Sequence, residues 1–288
     1  MSQALGPPLR RVLDRLDAAG ATLPLAELAQ RLLSLTGPLD PGLARRLLAA
    51  ALGSGDAPLP DRVAVRELPR LLAGPAAEAA LSRAVFCVVD LETTGLSSEH
   101  ATILEIGAVR VVGGAVTDRF QTLVDPDVPI PAAITALTGI DRSVVDGSPP
   151  LDRALAAFVA WAGATPETVF VAHNASFDHR FVAVAFERYA IAPWPGPVLC
   201  TRRLARRVLP ELGRYDLDTL SARFGIANRW RHRALGDAEA TARALLEMLE
   251  IASASHAVAD VGDLLRLQCA RLPRRRKRAP AAAPAPVR

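Results

Sequence analysis

Two patterns of apolar and polar positions divide the chain. In segments 8–18, 25–35 and 41–52, leucines and valines recur at helical spacing. Asp40, just ahead of the third segment, suits an N-cap. Gly53–Pro58 breaks the pattern, and residues 62–68 alternate like a strand. Three short helices and a strand form part of the outline of a winged helix. A small helical docking unit of no particular type fits the same pattern. We therefore expect a small, mainly helical domain over residues 1–70, joined by an Ala-rich linker or helix over 71–83 to the body of the chain.

From residue 84 the periodicity changes. Val85–Val89 is an apolar, β-branched run, as in a buried strand. Residues 103–112 and 115–124 read as two more strands, and Gly113-Gly114 between them signals a hairpin. The three predict an antiparallel meander. Pro126, Pro129 and Pro131 carry an irregular connection, followed by a helix over 132–138, ended by Gly139, and another over 151–162. Residues 167–172 form a further buried strand. Helices are expected over 176–190, 202–209, 217–224, 237–251 and 258–272. Hairpins followed by alternating helices and strands predict an α/β fold with a mixed sheet over 84–252, then a C-terminal helix within 253–272 and a tail over 273–288.

Composition changes this picture little. Of 288 residues, 50% are hydrophobic and 22% charged, which is ordinary for a globular chain with a sizeable core. The net charge is +4, but Arg274–Arg278 concentrates basic residues and leaves the body near neutral. Lys277 is the only lysine, so arginine content reflects a compositional bias more than a partner. The basic, Ala-Pro-rich tail is expected to be disordered, either touching phosphates nonspecifically or simply solvated. Cys87, Cys200 and Cys269 are odd in number and widely spaced, as reduced thiols would be. No signal pattern opens the chain and no apolar stretch matches a bilayer, so a soluble, cytoplasmic protein without a membrane partner is expected.

Chemistry enters with the acidic residues. Asp90 and Glu92 end the first buried strand, and residues i and i+2 of a strand share a face. Two adjacent carboxylates repel unless a cation intervenes, and a divalent metal would keep both ionised. A solvated acidic turn is the alternative. Thr93, Thr94 and Gly95 then turn the chain, with Gly95 expected in a geometry that other residues resist. Asn174 is a candidate N-cap for the helix that carries Asp178 in its first turn, where the helix dipole alone could explain an acid. His232 and Asp237 are five residues apart, about 140° around a continuous helix. Gly236 suggests that the helix begins near Asp237, with His232 on a loop that folds back beside it. Among the five histidines, His232 is best placed for a general base. Four carboxylates and a histidine at strand ends and helix starts suit two-metal phosphoryl chemistry, with the hard oxygen donors that Mg²⁺ or Mn²⁺ prefers. There is no Cys/His cluster for zinc and no GxxxxGK[ST] loop for a nucleotide.

Taken together, Val89–Gly95, His173–Asp178 and His232–Asp237 resemble the three exonuclease motifs of the DEDDh 3′→5′ exonucleases, and among them the epsilon proofreading subunits of bacterial DNA polymerase III. The resemblance spans about residues 84–252 and includes Ile103–Val109 and Leu137–Ile140. It implies a ribonuclease H-like fold in which Asp90, Glu92, Asp178 and Asp237 hold two Mg²⁺ or Mn²⁺ ions and His232 takes a proton from the attacking water. Thr93, Thr94 and Gly95 would contact the 3′-terminal nucleotide. Leu137, Thr138, Asn174 and Phe177 would shape the pocket for the last bases, although core packing explains Leu137 and Phe177 equally well. Glu105 is expected to be structural, and no chemical role is given to His173 or His179. The implied activity is stepwise release of nucleoside monophosphates from single-stranded or frayed DNA 3′ ends, in proofreading or repair. Trimming of RNA 3′ ends and noncatalytic nucleic-acid binding are the alternatives, the latter opposed by all five positions being filled. A DNA polymerase is a candidate partner. Against it stand the added N-terminal segment and the lack of a convincing clamp-binding peptide, Gln268-Cys-Ala-Arg being a poor match.

Overall fold

The computed structural model describes residues 12–52, 59–71 and 74–270, except Asp14 and Ala18. Much of the helix expected over 8–18, the break at 53–58 and the basic tail lie outside the described residues. In the N-terminal part, β1 (Thr22–Pro24) pairs antiparallel with β2 (Arg62–Ala64), and α1 (Leu25–Leu33) and α2 (Pro41–Leu52) lie between them in sequence. The Leu43 amide donates to Asp40 Oδ1 at 2.9 Å, the contact an N-cap makes. Leu25, Leu28 and Leu32 of α1 meet Leu48 of α2 in an apolar cluster that also holds Val63, Val65 and Leu68. The strand expected over 62–68 is shorter, because β2 stops at Ala64 and a 3₁₀ turn, Val65–Glu67, leads into α3 (Leu68–Leu71). Val63 and Val65 follow the strand period, but Leu68 follows Val65 at helical spacing, so only a turn buries all three. Further on, Ala76 and Ala77 are buried in the core of the main body, and Ala80 forms a β-bridge with Asp260.

The main sheet contains β3 (Val85–Thr93), β4 (Ile103–Val112) and β5 (Ala115–Leu123). After them come α4 (Ala132–Thr138), α5 (Arg142–Val145), α6 (Leu151–Ala162), β6 (Thr168–Ala172), α7 (Ser176–Arg188) and β7 (Val198–Cys200). The chain continues through α8 (Thr201–Val208), α9 (Leu217–Phe224), α10 (Ala234–His256) and α11 (Val261–Cys269). Strand order is β5-β4-β3-β6-β7, with β4 antiparallel to both its neighbours and β6 parallel to β3 and β7. The mixed sheet flanked by helices is the expected ribonuclease H-like arrangement.

Alternation along β3 assigns its two faces. Phe86 and Val88 join a cluster with Leu245 and Met248 of α10, while Cys87, Val89 and Leu91 join Phe158 of α6 and Phe181 and Phe186 of α7. With a period of two, Asp90 and Glu92 continue the α10 face. At the far edge of the sheet, the buried Gln268 side chain accepts from the Cys200 amide and donates to the Val198 carbonyl, both at 2.9 Å. Its amide thus satisfies the open edge of β7 as a neighbouring strand would. Among the described residues, no helix is long and apolar enough to cross a membrane.

Candidate active site

Three carboxylates converge on the α10 face of the sheet. Asp90 and Glu92 come from β3 and Asp237 from the first turn of α10, and each offers an oxygen within 4.8 Å of the others. The register breaks between Glu92 and Thr93, a bulge at the end of the acidic strand. Two residues of β4 allow the approach of α10. Gly107 lies opposite Asp90, and a Cβ there would sit 2.2 Å from the Ala234 backbone, so only glycine lets the helix start rest on the strand. Glu105 lies opposite Glu92 with no exposed surface. It accepts from the Arg233 guanidinium at 2.8 and 3.0 Å and from the Ala234 amide at 3.0 Å, anchoring the start of α10.

Asp178, buried in the first turn of α7, approaches from the other side, its Oδ1 accepting from the Leu91 amide at 3.2 Å. It is not in the tight trio, yet its charge is felt there. Burial pushes Asp90 well above the usual carboxylate range, reinforced by Asp178, Asp237, Glu92 and Glu105. Burial and then Asp237 raise Glu92 to about 8, and burial raises Asp178 to about 7. Asp237 is also raised by burial, opposed by hydrogen bonds from Asn228 and the His232 amide. These are all hard oxygen donors, crowded and short of positive charge, so the set suits a divalent cation.

The loop before α10 completes the site. The His232 amide donates to Asp237 Oδ2 at 3.2 Å, and His232 itself sits at φ 59, a left-handed turn. The loop does fold back, but α10 begins at Ala234 and not at Asp237. Gly236 serves another purpose than starting the helix: a Cβ on it would lie 2.4 Å from the Trp230 carbonyl oxygen, so glycine admits the loop over the first turn. Asn228, which nothing in the sequence pattern singled out, donates from Nδ2 to Asp237 Oδ1.

The remaining expected residues divide. Thr93 Oγ1 donates to the Gly95 carbonyl at 2.7 Å, and Thr94 Oγ1 accepts from the Thr102 amide at 2.9 Å, so both hydroxyls shape the turn after β3. Gly95 is not in the left-handed region, and a Cβ there would meet Ala101 Cβ at an ordinary 3.4 Å, so no special geometry requires it. Asn174 is exposed at φ 71 and does not cap α7; Ala175 holds the cap position, and no side chain accepts there. Leu137 is 53% exposed, which removes core packing as its explanation. Phe177 packs on the α7 face of the core, its ring 4.8 Å from Phe181. Thr138 Oγ1 donates to the Ile134 carbonyl and accepts from the Ile140 amide, closing the end of α4. His173 is bonded through Nε2 to the Tyr215 carbonyl and through Nδ1 to Thr201, and burial lowers it to about 4. His179 packs edge-on against Phe170, also lowered to about 4 by burial.

Known proteins resemble the chain over the segment that carries these residues. The exonuclease family model matches residues 87–245, from β3 through the first half of α10. The epsilon subunit of DNA polymerase III from Aquifex aeolicus is 36% identical over 183 residues, covering 64% of this chain and 89% of that protein. A PolC-type DNA polymerase III from Listeria monocytogenes is 39% identical over 177 residues, covering 62% of this chain; the chain spans only 12% of that polymerase. Among solved structures, E. coli Exonuclease I in complex with a dT13 oligonucleotide superposes with a TM-score of 0.55 at 18% identity, over 61% of this chain and 43% of that one, a likeness of fold. The matched segment contains Asp90, Glu92, Asp178 and Asp237 together with the loop that carries His232, and on that match the chain belongs to the exonuclease family.

Proposed function

We propose that the chain is a metal-dependent 3′→5′ exonuclease that removes nucleoside monophosphates from single-stranded or frayed DNA 3′ ends. The observation that carries this reading is the convergence of Asp90, Glu92 and Asp237 within 4.8 Å, on the segment that matches the family. Asp90, Glu92, Asp178 and Asp237 would hold two Mg²⁺ or Mn²⁺ ions. When bound, such ions neutralise charge on the phosphate and make a bound water acidic. His232, tied by its own amide to Asp237, takes the proton from the attacking water. Asn228 keeps Asp237 turned toward the trio, and the Leu91 amide orients Asp178. The exposed Leu137 lies free to meet a base, and Thr93, Thr94 and Gly95 would contact the 3′-terminal nucleotide.

DNA is favoured over RNA by the DNA polymerase names of relatives more than 30% identical, and the same names make a polymerase a candidate partner. Engagement of such a partner through Gln268 is disfavoured, because that side chain is buried on β7.

Digestion of 5′-labelled single-stranded DNA and matched RNA tests the proposal. With Mg²⁺ or Mn²⁺, the DNA should yield a ladder that EDTA abolishes. Asp90→Ala should show no ladder, and His232→Ala should slow turnover by about 10²–10⁴-fold, as loss of a general base does. A ladder on RNA alone would move the substrate, and no ladder on either polymer would overturn the catalytic reading.

A further inference from the structure

Beside the acidic trio, the 226–230 loop and the outer flank of α10 enclose a cavity of about 320 Å³, within the range of small-ligand sites. Trp230 stands at its rim with 69% of its surface exposed. Single exposed apolar residues are common, but this one is displayed from a fixed backbone. Its amide donates to Asn228 Oδ1 at 3.2 Å, its carbonyl accepts from the Arg233 amide at 3.2 Å, and Gly236 permits close packing beneath it. Asn228 is the residue that also holds Asp237, so one side chain joins the cavity wall to the acidic trio.

The charges lining the cavity point to an anion. Arg229 and Arg243 line it and form no ion pair among the described residues. Glu239, the one acid in the lining, is paired with Arg119, and the neighbouring Arg231 with Asp218. An exposed aromatic face next to unpaired guanidinium groups is how proteins hold a single strand, with a base stacked on the ring and phosphate beside the cations. We propose that this cavity is a second nucleotide subsite, outside the scissile position, where one base of a single-stranded nucleic acid stacks on Trp230 and Arg229 and Arg243 take the adjoining phosphates. This rests on the proposed exonuclease reading for the direction of the strand, but its binding chemistry is separate.

Equilibrium binding, read by anisotropy of fluorescein-labelled oligodeoxythymidylate and its RNA counterpart in EDTA, tests the subsite without requiring turnover. Trp230→Ala should weaken binding about 5–30-fold, whereas Trp230→Phe, which keeps a stacking face, stays within about threefold of wild type. Arg243→Ala should weaken binding and flatten the salt dependence by about one counterion, uniformly across sequences. Matching circular dichroism spectra establish that each variant is folded. The proposal is overturned if Trp230→Ala binds as wild type does, or if Trp230→Phe loses as much as Trp230→Ala. A DNA ladder with binding indifferent to Trp230 would remove the subsite and leave the exonuclease. Trp230-dependent binding with no ladder would do the reverse.

Discussion

Asp90, Glu92 and Asp178 are arranged so that each resists losing its proton. Glu92 is raised to about 8 and Asp178 to about 7, chiefly by burial, and Asp90 is raised by burial, reinforced by its acidic neighbours. A carboxyl whose folded pKa lies above its unfolded value holds its proton more tightly when folded, so stability is highest at low pH and falls as pH rises through the folded value. The metal-free protein should therefore lose stability between about pH 4 and pH 8 from these groups, against the usual trend for paired acids. Metal ligands must be deprotonated, so Mg²⁺ or Mn²⁺ should raise the melting temperature more at pH 8 than at pH 6, with protons released on binding near neutrality. Above about pH 8, where the crowded carboxyls ionise, Asp90→Asn removes one of their charges. It should raise the metal-free melting temperature, equivalent to about 1 kcal/mol or more, while abolishing the metal-induced rise. A metal-free Asp90→Asn protein that melts below wild type would show that the carboxylates do not repel as inferred. At this scale the sequence was informative about the trio, since the i, i+2 spacing and the family motifs both mark it. Asn228 and the Arg233 clamp were not legible, because Asn228 sits in an irregular loop and Arg233 finds Glu105 across 128 residues of chain.

Elements bring these residues together, and two small contacts on β4 govern how. The beginning of α10 rests on Gly107, with Glu105 receiving the Ala234 amide. Gly107→Ala would place a methyl 2.2 Å from the Ala234 carbonyl carbon, a rigid backbone atom, so the helix start must lift from the sheet. Overpacking of this kind costs about 1–3 kcal/mol or more, and here it also carries Asp237 and His232 away from Asp90. We expect a lower denaturation midpoint together with a kcat loss larger than the stability loss explains at a temperature where the variant remains folded. A variant with lowered stability and wild-type kcat would separate the helix start from the site. Strands 85–93, 103–112 and 115–123 were readable because β-branched runs and Gly113-Gly114 mark them locally. The start of α10 was misplaced because Gly236 looked like a boundary, whereas its cause is the Trp230 loop lying on it, a tertiary contact. Asn174 misled in the same way: a residue type that often caps helices is here exposed in a left-handed turn.

Across the whole molecule, the N-terminal segment is tied to α11 and its cap. Arg70 Nη1 donates to Asp260 Oδ1 at 2.8 Å and to Asp263 Oδ1 at 3.3 Å, while Nη2 donates to Glu78 at 2.9 Å. Arg266, on α11, reaches back to Glu67 at 2.7 Å and to Asp263. Asp260 caps α11 through the Asp263 amide, so Arg70 faces a residue that already orders the helix. No periodicity could have shown the Arg70–Asp260, Arg70–Asp263 and Arg266–Glu67 pairs, since each joins residues 190 or more apart that look like ordinary surface charges. Isolated surface pairs contribute little, but Arg70, Asp260 and Asp263 are only about a fifth exposed and share partners, which makes a network. Arg70→Ala would leave Asp260 without its guanidinium and Asp263 with Arg266 alone. The expected cost is about 2 kcal/mol, below that of a fully buried pair because water still screens the site. It should appear as a lower urea midpoint with the slope unchanged if the N-terminal segment and the sheet unfold as one unit. Activity on DNA at low temperature should be as wild type, since Arg70 touches none of the acidic trio. An unchanged midpoint would mean that these contacts are solvated ion pairs, and that the two parts of the chain are held together by the Ala80–Asp260 bridge and by Ala76, Ala77 and their apolar neighbours.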